Sequence, residues 1–162
     1  MKPDIITSCT LLSYQHQKVE ESKQVDREKR TGAELLSNYL DAFLEQYRSY
    51  RSNLRFNYNF NSYLRSERAT PEQMEPFMQV VNKLAALFHG VYKRGMKDGT
   101  LNASISEEEM FSGCFHIMLA AATRYAVGLV YISENIDPEK ELVMLKRLLL
   151  LEYTEGTKKD TV

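Results

Sequence analysis

The sequence predicts an all-α fold, a helical bundle of five to six helices. Three observations carry that expectation. Apolar residues recur at helical spacing from Ala33 onward, capping residues mark helix starts at Thr70 and Ser106, and from Ser106 to about Ile132 the chain is apolar around most of a helix. At 162 residues the chain is long enough for one domain with a real core. The division expected is a polar N-terminal arm or linking helix over 1–32, a helical domain over 33–154 and a disordered tail over 155–162.

Each element has its own reason. Leu36, Tyr39, Leu40, Phe43, Leu44 and Tyr47 place a first helix at about 33–50. The next segment, Leu54-Arg-Phe56-Asn-Tyr58-Asn-Phe60, alternates with period two and reads alone as a strand. Phe56, Phe60 and Tyr63 also share one helical face, and a lone strand would have no partner among helices, so helix is expected. Thr70-Pro71-Glu72-Gln73 then supplies a capping hydroxyl, a proline at the first helical position and a glutamine at the third. Met74, Phe77, Val81, Leu84, Phe88, Val91, Tyr92 and Met96 continue that helix until Gly99, a natural left-handed cap. Ser106 with Glu109 forms a second capping box, and Ile105 with Met110 a hydrophobic staple. Asp137-Pro138 opens the last helix, expected to bury Leu142, Leu145, Leu148, Leu149 and Leu151.

The helix from Ser106 has a narrow polar line, Ser112, His116 and Thr123, and two apolar faces. Phe111, Phe115, Met118, Ala122 and Leu129 form the bulky face, assigned to the core. Met110, Cys114, Ile117, Ala121 and Gly128 form a smaller face. A helix so poor in polar residues cannot turn only one side to protein and the rest to water. The small face is expected to meet a second copy, with Leu145 and Leu149 of the last helix completing a homodimer interface; the alternative is a helix buried at the centre of a monomer.

Composition narrows the function. The net charge of −1 and pI of about 6.3 create no basic field to gather nucleic acid or an acidic membrane. Two cysteines, Cys9 and Cys114, are too few for a disulfide framework or structural zinc site. No apolar run is long enough to span a membrane, and the N-terminus has no block like a signal sequence, so a cytoplasmic location is expected. There is no glycine-rich phosphate loop, nucleophile elbow or HExxH helix, and His16, His89 and His116 are scattered. No enzymatic activity, catalytic residue, metal or cofactor is expected. His116 beside Ser112 either orients a ligand or is a hydrogen-bonded surface group. Arg124 is either a pocket anion anchor or a member of an interface ion pair.

The aromatic content points to binding. The chain has ten tyrosines and seven phenylalanines, many on faces predicted to turn inward. Aromatic walls with polar tips suit a small, largely apolar ligand. A small hydrophobic effector is expected among Tyr47, Phe60, Tyr63, Phe88, Tyr92, Phe115, Met118 and His116; the alternative, and the more common fate of any one aromatic, is an ordinary bulky core.

The segments LLSNYLDAFLEQYRSYRSNLRFNYNFNSYLRSE, VNKLAALFHGVYKRGMKDGTLNASISEEEMF and DPEKELVMLKRLLLLEY, in that order, give the chain a resemblance. It looks like the C-terminal effector-binding and dimerisation domain of TetR-type transcriptional regulators, over roughly residues 33–154. The turn made by Gly95, Asp98, Gly99 and Leu101 is the most recognisable piece. The resemblance implies that the last two long helices build an intersubunit four-helix bundle and that the pocket lies among the preceding helices and the Ser106 helix. Such regulators begin with a basic helix-turn-helix, and residues 1–32 do not look like one. The chain is accordingly expected to sense a ligand and dimerise without binding DNA by itself. It is read as a truncated or mis-started regulator, or as a natural variant without its DNA reader. The alternatives are a protein that heterodimerises with a full-length regulator, and a small helical carrier or enzyme with an aromatic cavity.

Overall fold

The structure, a computed structural model, describes residues 29–67, 69–129 and 136–154, together with Gln17 and Glu21. Of the arm expected over 1–32, all but Gln17, Glu21 and residues 29–32 lies outside the described residues, as do the end of the Ser106 helix beyond Leu129 and the tail over 155–162. Within them the fold is all-α: α1 (Gly32–Ser49), α2 (Arg51–Glu67), α3 (Pro71–Asp98), α4 (Glu107–Val127) and α5 (Pro138–Thr154). No strand occurs among the described residues.

Helix α1 is the central post, packing against α2, α3, α4 and α5, while α4 also touches the other four. The sequence explains why α1 takes that place. Leu35, Leu36, Tyr39, Leu40, Ala42, Phe43, Leu44 and Tyr47 are all buried, a face too wide for a single neighbour. Tyr39 meets Phe43 and Phe88 edge-on at 5.8 and 5.3 Å between ring centroids. Phe115 continues the aromatic core, 6.4 Å from Phe43 and stacked on Phe111 at 5.7 Å. Two polar contacts set α5 along α1, Arg48 to Glu139 at 2.7 Å and Lys146 to Asp41 at 2.6 Å.

The start of α1 is capped from two places in the chain. Locally, Thr31, which lay in the arm expected over 1–32, and Glu34 form a reciprocal capping box that the sequence reading did not find. From the far side of the fold, Asp98 Oδ2 accepts the Gly32 N–H at 2.8 Å, and Thr100 Oγ1 accepts the Ala33 N–H at 3.0 Å. With Glu34 N donating to Thr31 Oγ1 and Thr31 N to Glu34 Oε2, all four N–H groups that a helix start leaves unpaired have acceptors. The turn after α3 thus closes α1. The same connection holds α5: Asn102 N donates to Tyr153 O at 2.7 Å, and the Asn102 side chain is buried.

The α2 segment resolves the period-two ambiguity. A strand would put Leu54, Phe56, Tyr58 and Phe60 on one side, whereas Leu54, Asn57 and Phe60 are buried and Tyr58 is 48% exposed. At α3, Thr70 and Gln73 form the expected box and Gly99 closes the helix at φ +70°. At α4, Ser106 Oγ accepts the Glu109 N–H at 3.2 Å. That helix is shorter than expected, ending at Val127 with Gly128 as its C-cap at φ +104°. Gly128 is consequently a terminus rather than part of a continuous helix face.

Two further expectations are corrected by packing. On α5, Leu142, Leu149 and Tyr153 form the buried side, whereas Leu148 and Leu151 are 53% and 50% exposed. The helix is apolar at almost every phase, so α1 and α4, not periodicity, choose which side turns in. On α4, Met110 and Cys114 are fully buried within the chain's own core. A glycine at position 113 lets Tyr153 of α5 lie directly against that helix, which closes this side of α4 with an intrachain neighbour.

Candidate functional site

The residues expected to surround an apolar effector divide into two groups. Tyr47, Phe60, Phe88, Phe115 and Met118 are between 0 and 7% exposed and spend their side chains filling the core. Tyr63 and Tyr92 are half-buried, and the Tyr92 hydroxyl donates to the Ile105 carbonyl at 3.2 Å, tying α3 to the loop before α4. His116 stands apart from both, exposed on the outer side of α4 with Nδ1 3.1 Å from Ser112 Oγ. The aromatic residues therefore do not close around one cavity that His116 shares.

A cavity of about 470 Å³ instead opens on the outside of the core, between α2 and α4. Helix α2 contributes Asn57, Tyr58, Asn61 and Arg65, and α4 contributes His116, Leu119, Ala120, Thr123, Arg124 and Val127. The spacing follows from helix geometry: Asn57, Asn61 and Arg65 are four residues apart, and so are His116, Ala120 and Arg124. Two such rows on packed helices face a common groove. Below them, Leu54 and Phe60 fix α2 in the core, and Arg55 Nε donates to the Ala126 carbonyl at 2.5 Å, joining α2 to the last turn of α4.

The lining joins cations and amides to an apolar floor. It holds two guanidinium groups, two amides, a phenol, an imidazole and a threonine hydroxyl, and no carboxylate. Among the described residues neither Arg65 nor Arg124 has an ion-pair partner. The Thr123 hydroxyl is buried without a hydrogen-bond partner, whereas Asn57 is buried and partnered. Of the residues singled out by sequence, His116 and Arg124 line this cavity. Asn57, Asn61 and Arg65 were not foreseen, although their four-residue spacing is legible once α2 is read as a helix.

The residues expected at a subunit interface also separate. Met110, Cys114 and Leu149 are buried inside the chain and leave that set; Ala121 and Leu145 are partly buried against the core. Ile117 remains 43% exposed. It is joined on the surface by Val143, Met144, Leu148 and Leu151 of α5, all 36% exposed or more.

Other groups carry less chemistry. Burial pushes the Cys114 thiol up to about 12, far from a reactive thiolate. His89 faces Glu107 at 2.9 Å at the surface. Among the described residues no three His, Cys, Asp or Glu side chains converge on a metal-sized site, and no described helix is long and apolar enough to cross a membrane. No family model, curated protein or solved structure matches the chain.

Proposed function

We propose that this chain is a ligand-sensing and dimerisation module of the kind that forms the C-terminal domain of TetR-type regulators. The observation that carries the reading is the outer surface of α5. Val143, Met144, Leu148 and Leu151 occupy one side of that helix, and Met144, Leu148 and Leu151 are each at least half exposed. A helix on the surface of a monomer ordinarily turns polar residues to water. A second copy placing its own α5 against this side, with the Ile117 region of α4 beside it, would cover it in both protomers by one symmetric contact.

Sensing and pairing would share a helix. Ala120, Arg124 and Val127 of α4 line the α2–α4 cavity, and the exposed Ile117 belongs to the same helix. A ligand that shifts or rotates α4 by a small amount would alter the geometry of the pair, the kind of interface helix shift by which effectors act on oligomers. DNA reading would belong to a separate domain. The test is sedimentation velocity of the full chain at micromolar concentration. A dimer is expected, and a monomer across that range would overturn the reading.

A further inference from the structure

We propose that the cavity between α2 and α4 binds amphipathic anions, molecules with an acidic head group and an apolar body. The inference deepens the ligand-sensing reading and rests on it for its biological meaning, but not for its chemistry.

The head group is argued from charge. Arg65 and Arg124 reach the cavity from different helices and have no ion-pair partner among the described residues, and no acidic side chain lines the space. Two unpaired guanidinium groups about one concavity favour an anion, because their planar donors match carboxylate and phosphate oxygens. Other exposed basic groups, among them Lys83, Lys93, Lys97 and Arg147, also lack ion pairs among the described residues; what sets Arg65 and Arg124 apart is that both line one concavity whose described lining holds no carboxylate.

The body of the ligand is argued from Leu119, Ala120 and Val127, which give the same cavity an apolar wall. Its volume of about 470 Å³ falls within the range of small-molecule pockets. A lining that joins guanidinium groups to apolar walls favours an amphipathic anion over both a bare inorganic anion and an uncharged hydrocarbon.

The experiment is isothermal titration calorimetry with decanoate, decyl phosphate and decanol against the full chain. The parent is expected to bind at least one of the two anions about tenfold tighter than decanol, and the tighter of them identifies the acidic head. The Arg65→Gln/Arg124→Gln double variant keeps two exposed polar side chains and should fold as the parent does. It should lose that tenfold preference while binding decanol unchanged.

Equal affinity for decanol and both anions, or a double variant that binds them like the parent, would overturn the proposal. So would binding only to phosphatidylglycerol vesicles with no affinity for either free anion. A parent that is monomeric by sedimentation yet discriminates anion from alcohol would remove the pairing while leaving this site standing.

Discussion

Gly32 and Gly95 meet backbone to backbone where α1 crosses α3. A Cβ built on Gly32 would overlap the Cα and N of Gly95, and one built on Gly95 would overlap the Leu101 side chain. This contact brings the turn after α3 within reach of the start of α1, so that Asp98 and Thr100 can accept the Gly32 and Ala33 N–H groups. The turn from Gly95 to Leu101 thus has a structural task, clamping the entrance of the central helix.

Gly32→Ala should therefore be costly. The overlapping atoms are backbone, which cannot rotate away, and forced overpacking of this kind costs about 3 kcal/mol. Gly99→Ala meets no neighbour and suffers only the strain of a positive φ, about 1 kcal/mol. Urea unfolding of the two variants should preserve that order. Equal stabilities would show that α1 and α3 separate freely.

Acid should loosen the same clamp. Burial alone would raise the Asp98 pKa, but hydrogen bonds from the Thr100 side chain, Gly32 N–H and Thr100 N–H, with the Arg94 charge, outweigh it and hold the carboxyl below the usual aspartate value. Hydrogen bonding from the Thr31 backbone and side chain lowers Glu34 in the same way. A depressed carboxylate stabilises the fold at neutral pH, and that contribution is lost as pH falls below about 4 through the folded-state pKa. Asp98→Asn with Glu34→Gln should flatten the stability curve in that acid range, measured by urea midpoints at successive pH values. An unchanged slope would remove these carboxylates from the account.

Tyr39 offers a change of opposite sign. Its ring is locked between Phe43 and Phe88, while its buried hydroxyl has no hydrogen-bond partner. Removing an unsatisfied buried hydroxyl costs no hydrogen bond, so Tyr39→Phe should leave stability unchanged or raise it by about 1 kcal/mol. A clear loss on thermal unfolding would reveal a partner for that hydroxyl.

The outer face of α5 can be tested without touching the core. Met144→Glu with Leu148→Glu should leave the helical circular dichroism intact, because both side chains are more than half exposed. In the proposed dimer the same pair of changes buries unpaired charge at each contact and should shift sedimentation to the monomer. Retention of a dimer would move the interface elsewhere.

Cys114 reports on the integrity of α4. Its thiol is fully buried and pushed up to about 12, so in a Cys9→Ser background it should resist an aromatic disulfide reagent at mildly alkaline pH until the protein unfolds. Rapid labelling under native conditions would mean that α4 opens locally, a motion that should then change when the cavity is filled.

Helix existence and most helix ends were legible because they are local chemistry. Thr70 with Gln73, Ser106, Gly99 and Asp137-Pro138 act on backbone groups within a turn or two, so the segment itself carries the information. Even α2, with its misleading alternation, could be read as helix from Phe56, Phe60 and Tyr63. The direction of a helix that is apolar nearly all round is a different matter. Leu142 and Leu148 are equally apolar, and only contact with α1 and α4 buries the first and leaves the second in water. The same competition drew Met110 and Cys114 inward and packed the aromatics into a core. Sequence determined which segments are helical and where α3, α4 and α5 begin, but not that α4 stops at Val127. Tertiary structure decided which faces meet and placed the cavity among Asn57, Arg65, Thr123 and Arg124, because periodicity describes one helix while a groove requires the relative placement of two.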